Sequence, residues 1–351
     1  MKVNKKDELL HAYRLDCFYY SVLKAATKKF SCKNLLGEGG FGDVYKGYIS
    51  YCTMTAARPG CGFAVAVKRQ RKTGEQGVHE WLNELTFLAG LNHPNVVKLI
   101  GYCSEGDQRI LVYKYMIGGS LEAHLLKADV TELNWRRRIN IALGAARGLY
   151  FLHTRGRPVI HRDIKASNVL LDSGFNPKLS DFGLAKYGPQ GDQSHVSSRI
   201  LGTKGYFAPE YIGTGHLMLK SDIYSFGVVL LEIFSGYSAV KKYPDVMEGN
   251  LVQWAKPYLS NKLHIHTVID KRLGESFPRE EAQEFAETIL RCLSSNPEDR
   301  PTISEVVADL ERLGKFVGRG AIKTNPEQTS LGKKDGTSGK LKLFTITDVS
   351  L

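Results

Sequence analysis

The chain reads as an α+β protein in two unequal parts, a small β-rich lobe with one helix and a larger one that is mainly α. Two textures carry that expectation. Up to about residue 117, short apolar stretches separated by glycines dominate, with a single helical segment among them. From Leu121 onward the apolar residues recur at helical spacing. The 351 residues, 42% hydrophobic and 24% charged, are enough to bury a sizeable core and fit one two-lobed domain or two small domains.

Taken in order, residues 1–29 are a basic N-terminal extension, and residues 30–62 are a glycine-rich turn flanked by short strand-like pieces. "FAVAVKR" at 63–69 reads as a buried strand. "HEWLNELTFLAGLN" places Trp81, Leu82, Leu85 and Leu88 at helical spacing, with Glu80 and Glu84 one turn apart. "VVKLIGYC" and "RILVYKYM" are two further strands, and "GGS" breaks the chain after them. "RRRINIALGAARGLYFLH", "SDIYSFGVVLLEIFSG", "EEAQEFAETILRCL" and "ISEVVADLERL" are helices of the larger lobe. Beyond Leu313 the run "GRGAIKTNPEQTSLGKKDGTSGK" is rich in Gly, Lys, Ser and Thr, the composition of a disordered tail. The main domain is thus expected over 30–312, its lobes meeting near 117, with a basic tail over 313–351.

Composition excludes several classes. The best apolar run, "FGVVLLEIF", is about half the roughly 18–20 residues needed to span a bilayer and contains Glu232, so it reads as a core helix. "MKVNKKDELLHAYRLD" has no apolar stretch behind its basic residues, hence no secretory signal is expected and the chain is assigned to the cytoplasm. Six scattered cysteines lack zinc-type spacing and suit free thiols. Of the net charge of +12, the two ends supply +8 and the centre +4. Solvated basic ends explain that distribution; a nucleic-acid binder would rest on the ends alone and is not adopted.

"GEGGFGDVYKG" holds Gly37, Gly39 and Gly42 in G-x-G-x-x-G spacing, which lets backbone N–H groups approach phosphate oxygens. A Rossmann turn would need a helix directly after it and a Walker A loop a Lys-Ser/Thr pair, whereas "DVYKGYI" looks like a strand. What remains is a hairpin over a nucleotide, or a plain flexible hairpin. Lys68, on the following strand, suits the α- and β-phosphates if a carboxylate holds it, and Glu84 is the candidate. In "HRDIKASNVLLDSGFNPKLSDFG", the turn "DSGFNP" folds two short strands back and brings Asp181 to Asp163 and Asn168. Paired acids could serve a glycosidase. The Lys and Asn between them fit phosphoryl transfer better: Asp163 takes the proton of the attacking hydroxyl, Lys165 neutralises the γ-phosphate, and Asn168 and Asp181 hold Mg²⁺.

"GEGGFGDVYKG", "VAVK", "HRDIKASN", "DFG" and "APE" follow one another as in eukaryotic protein kinases, over about residues 30–312. With "LKAATKKF", "HPNVVKLIGYC", "SDIYSFGVVLLE" and "NPEDRPTISEVV", the chain resembles, more narrowly, a plant receptor-like cytoplasmic kinase of subfamily VII. The resemblance implies the bilobal kinase fold and a Ser/Thr kinase using ATP and Mg²⁺ (Mn²⁺ as substitute), acting in plant receptor and immune signalling. Its partners would be protein substrates and an upstream membrane receptor kinase, the chain itself being a monomer. It assigns Gly37, Glu38, Gly39, Gly40, Phe41 and Gly42 to the phosphate loop. Val44, Ala66 and Leu170 would sandwich adenine, Tyr113 would be the gatekeeper, and the backbone of Lys114, Tyr115 and Met116 would bond the adenine edge. His161, Phe182, Leu88 and Leu99 would form a stacked spine. Glu210 would pair with Arg300, Asp222 would hold the catalytic-loop backbone, and Thr203 would line the substrate site. A phosphate on Ser197, Ser198 or Thr203 would engage Arg162 and order the activation segment.

Three departures stand out: Lys114 at the hinge, Lys204 with Phe207 in "GTKGYFAPE", and a start "MKVNKK" that offers no N-myristoylation glycine. Attachment to the plasma membrane is then at most peripheral, through Lys2, Lys5 and Lys6. A pseudokinase or scaffold is the alternative from another class, and the presence of Lys68, Asp163, Asn168 and Asp181 argues against it.

Overall fold

The computed structural model describes residues 15–39, 42–71, 75–126, 133–191, 193–240, 250–261, 263–274 and 277–319. Gly40 and Phe41, and most of the two basic ends, lie outside the described residues.

Six strands, β1 (Asp16–Cys17), β2 (Leu35–Gly39), β3 (Gly42–Ile49), β4 (Phe63–Gln70), β5 (Leu99–Cys103) and β6 (Ile110–Lys114), form the small-lobe sheet in the order β1-β5-β6-β4-β3-β2. Neighbours are antiparallel except β1, which runs parallel to β5. The two-residue period of β4 buries Val65 and Val67 on one face and turns Ala66 and Lys68 to the other, toward the cleft between the lobes. A glycine is required at Gly42, where a Cβ would stand 2.4 Å from the Arg69 carbonyl oxygen.

Part of the basic N-terminal extension packs on this lobe. Helix α1 (Tyr20–Ala26) buries Leu23 and Ala26, and with Phe18 these join a core made by Ile49, Val65, Val67, Cys103, Ile110 and Val112. The Tyr20 N–H donates to the Glu105 carboxylate at 3.0 Å, a distant acid serving the positive end of a short helix. β1 lies against β5 because position 101 has no side chain: a Cβ on Gly101 would meet the Asp16 carbonyl oxygen at 2.1 Å.

Helix α2 (Glu75–Ala89) sets Trp81, Leu85 and Leu88 against the sheet, as its spacing predicts. The large lobe contains α3 (Leu121–Leu125), α4 (Trp135–His153), α5 (Pro209–Thr214), α6 (Leu219–Ser235), α7 (Leu251–Leu259), α8 (Ile265–Val268), α9 (Arg279–Cys292) and α10 (Ile303–Arg319); α6 packs against α4 and α9 and is buried along most of its length. Glu232 is accommodated inside this helix, the core role its sequence predicts. No helix among the described residues is long and apolar enough to cross a membrane. α7 and α8 fill a stretch for which the sequence analysis assigns no element, and α10 continues six residues past Leu313, where a tail is expected to begin.

Seven short strands follow in chain order among the described residues: β7 (Gly119–Ser120), β8 (Val159–Ile160), β9 (Val169–Leu171), β10 (Pro177–Leu179), β11 (Lys186–Tyr187), β12 (Val196–Ser197) and β13 (His216–Leu217). β9 and β10 form the hairpin read from "NVLLDSGFNPKLS". Asp172 closes its turn by accepting from the Gly174 and Asn176 N–H groups at 2.8 and 3.0 Å.

Candidate active site

The hairpin delivers Asp181 to the catalytic loop. Leu179 pairs with Val169, and the Ser180 N–H then donates to the Asn168 carbonyl at 2.9 Å. Asp181 follows with a positive φ of 63°, and Arg162 has φ of 73°; strained backbone of this kind persists where surrounding contacts enforce it. For Arg162 those contacts are visible. The buried Asp222 carboxylate, from the first turn of α6, accepts from the His161 and Arg162 N–H groups at 2.8 and 2.9 Å.

Lys68 Nζ donates to Glu84 Oε2 at 2.7 Å and to Asp181 Oδ1 at 2.9 Å. One ammonium thereby joins β4, α2 and the segment after β10. Burial would pull the Lys68 ammonium down, but Asp181 and then Glu84 overcome it and hold the group well above its usual range. Burial likewise opposes the Asp181 carboxylate, and Lys68 reverses the effect, leaving it below the usual value. Tyr113 stands beside this pair, its hydroxyl pushed well up by burial and then by Glu84.

Asp163, Lys165, Asn168 and Thr203 form the second cluster. Lys165 Nζ lies 2.8 Å from Asp163 Oδ2 and donates to Thr203 Oγ1 at 2.9 Å, while the Thr203 hydroxyl donates to Asp163 Oδ1 at 2.7 Å. Asn168 Nδ2 donates to the Asp163 carbonyl and to Oδ2 at 2.9 and 3.1 Å. With the amide nitrogen spent on Asp163, the Asn168 oxygen and the Asp181 carboxylate are the hard oxygen donors at the base of the cleft, a set that fits a divalent cation bound together with phosphate oxygens.

A cleft of about 560 Å³ runs between the lobes. Its roof is Gly37, Glu38, Gly39, Gly42, Val44 and Ala66; its back holds Lys68, Glu84 and Tyr113; its hinge side is Lys114, Tyr115 and Met116; its floor is Leu170, with Lys165, Asn168 and Asp181 toward the open end. His161 and Phe182 meet edge to face at 4.7 Å, and Phe182, Leu88 and Leu99 are buried in the same core. Arg300 makes a two-point contact with Glu210 at 2.8 and 2.6 Å, its side chain wholly buried.

Three contributors are not singled out by the sequence analysis. Asn83 on α2 donates to the carbonyls of Phe182, Gly183 and Ala185 at 3.3, 2.9 and 2.7 Å, tying the helix to the start of the activation segment. The Tyr211 hydroxyl donates to the Arg199 carbonyl at 2.7 Å and accepts from Arg162 and from the Leu201 N–H. Tyr206 donates to the Glu232 carboxylate, 2.8 and 2.9 Å from its two oxygens. Burial pushes that carboxyl up to about 8, although the Ala239 N–H and Tyr206 hydroxyl bond to it.

A lysine clamped by two carboxylates beside a catalytic-loop acid is the geometry of phosphoryl transfer from a nucleotide. Residues 30–310 match the sequence model of the family described as protein tyrosine and serine/threonine kinase. The chain belongs to the protein kinase family. It is 52% identical over 306 residues to the probable serine/threonine-protein kinase PBL3 of Arabidopsis thaliana, covering 87% of this chain and 72% of that protein. It is 48% identical over 338 residues to receptor-like cytoplasmic kinase 176 of Oryza sativa subsp. japonica, covering 95% and 85%. The serine/threonine-protein kinase BIK1 of Arabidopsis thaliana is also 48% identical, over 335 residues, with 94% and 85% covered. As a kinase of this family the chain uses ATP and a divalent metal ion and acts on protein substrates.

Proposed function

We propose that this kinase is a receptor-like cytoplasmic kinase that transfers the γ-phosphate of ATP to serine and threonine hydroxyls of proteins, downstream of a membrane receptor kinase. The observation that carries the reading is the continuous network from Glu84 through Lys68 to Asp181, set beside Asp163, Lys165 and Thr203. The adenine enters between Val44 and Ala66 above and Leu170 below, and its edge bonds to the backbone of Lys114–Met116. A lysine at 114 leaves these backbone groups available, so ATP binding survives the departure. Lys68 engages the α- and β-phosphates. Asn168 and Asp181 would hold Mg²⁺, with Mn²⁺ as a substitute; when bound, the cation neutralises charge on the phosphates.

Asp163 orients the incoming hydroxyl and accepts its proton as the oxygen bonds to the γ-phosphorus. The bond from that phosphorus to the bridging oxygen breaks, and ADP leaves. Lys165 sits where negative charge accumulates on the transferring group. The same lysine supports the Ser/Thr class, and so do the names of the relatives.

Incubation with ATP labelled in the γ-phosphate and Mg²⁺ tests this directly. The purified chain should label itself and added protein on Ser and Thr, and Asp163→Asn should cut the rate by roughly 10²- to 10⁴-fold, the size of a lost general base. A folded, ATP-binding wild type that transfers nothing would instead support a scaffold.

A further inference from the structure

Lys204 directly follows Thr203, and its surroundings give its charge a use. The Thr203 hydroxyl touches Asp163 Oδ1, the atom to which an acceptor hydroxyl must come. A neighbouring residue of the bound peptide is one Cα step, ~3.8 Å, further along. Such a residue is within reach of the turn that begins at Thr203.

That turn is fixed. The Tyr206 N–H donates to the Thr203 carbonyl at 3.2 Å, the buried Tyr206 ring is anchored on Glu232, and Ser225 donates to the Tyr206 carbonyl at 2.7 Å. Gly205 rests on the Ala239 backbone, and Phe207 fills the space beneath Gly202, where an added Cβ would meet its ring at 2.9 Å. Lys204 projects from this turn as an exposed side chain, and no carboxylate among the described residues forms an ion pair with it. Among the described residues, Lys165 is bonded to Asp163 and Thr203, Arg162 to Ser198 and Tyr211, and Lys186 to the Ser197 carbonyl. The Glu232 carboxylate below the turn is buried and bonded to Tyr206 and Ala239.

We propose that Lys204 is a specificity residue that makes this kinase select Ser/Thr sites with Asp or Glu directly beside the phosphorylated residue. The inference rests on the kinase activity set out above. An acidic side chain there gains an exposed ion pair with Lys204 that a basic one is denied. The preference should appear mainly in the peptide KM, because Lys204 does not touch the reacting atoms.

The test is a peptide series with one Ser or Thr and each flanking position set in turn to Asp, Glu, Ala, Lys or Arg, assayed with the full-length kinase and Mg-ATP. Wild type should favour an adjacent acid over Ala by about three- to fivefold in kcat/KM, the size expected of an exposed ion pair, and raised salt should shrink the ratio. Lys204→Arg should keep the preference, Lys204→Met should flatten it, and Lys204→Glu should invert it toward Lys and Arg. An acidic preference that survives in Lys204→Glu overturns the assignment. So does an equal loss over all peptides in Lys204→Met, which would mark a structural role. Transfer by wild type without charge preference removes the subsite alone; transfer to no peptide removes the phosphotransfer reading and the subsite with it.

Discussion

Lys68 has its charge held by two acids on different elements, Glu84 at 2.7 Å and Asp181 at 2.9 Å. Lys68→Met keeps most of the stem and removes the charge. The phosphates lose their anchor, and Glu84 and Asp181 are left facing each other without a cation. Transfer from ATP should fall to background. The fold should survive with a loss of roughly 1–3 kcal/mol, less than the roughly 3–5 for breaking a fully enclosed pair, because the Asp181 side chain is 22% exposed and opens to the cleft. A radiolabel assay and a thermal melt check the two halves; retained transfer would mean that another cation anchors the phosphates. The grouping of Lys68 with Glu84, and of Asp181 with Asp163 and Asn168, is legible in the sequence, from the strand that carries Lys68, the helix that carries Glu84 and the turn "DSGFNP". Asn83 and Tyr211 are not, because they work by bonding backbone carbonyls that become their neighbours only after folding.

The activation segment is the element on which the candidate switch residues separate. Ser198 Oγ accepts from Arg162 at 2.7 Å, and the Ser198 N–H donates to the Gly215 carbonyl at 3.1 Å, so a phosphate there would meet a guanidinium already in place. Ser197, on β12, meets Lys186 only through its carbonyl, and its side chain is exposed. The Thr203 hydroxyl is engaged by Asp163 and Lys165, and a phosphate there would put a dianion on the catalytic carboxylate. Ser198→Ala should therefore slow transfer roughly ten- to a hundredfold, the range of one hydrogen bond to a charged group, with Ser197→Ala close to wild type and Thr203→Ala impaired through the loss of its Asp163 contact. Rates combined with phosphosite mapping decide the matter, and a larger effect at Ser197 would move the switch one residue. Sequence alone left three hydroxyls equivalent, since their difference lies in which cation each meets.

At the scale of the molecule, the two-lobed plan was legible because period-two strands and helical spacing fall in separate halves of the chain. Helix α1 was hidden: the lysines of the N-terminal extension dominate its composition, while the apolar contacts of Phe18, Leu23 and Ala26 depend on a sheet face made by distant strands. The buried Arg138, bonded to Asp270 at 2.5 Å and to the Ile233 carbonyl, was equally invisible, for nothing local marks an arginine as enclosed. Glu232 joins these levels, since it lies on the central helix α6 and bonds both the activation segment through Tyr206 and the chain beyond α6 through Ala239. Its carboxyl is raised from 4.5 to about 8, burial being the largest cause. Between those values the folded chain keeps a proton that the unfolded chain has released, so this group's contribution to stability declines as pH rises through that window and levels off above it. Glu232→Gln removes the titration and keeps an amide oxygen for Tyr206. The variant should gain about 1–3 kcal/mol relative to wild type between pH 5.5 and 8.5, seen as a melting-temperature gap of about 2–4 °C per kcal/mol that shifts in the variant's favour as pH rises. Parallel melting curves across that range would show that Glu232 is ionised in the folded protein throughout, its charge carried by the Tyr206 and Ala239 hydrogen bonds.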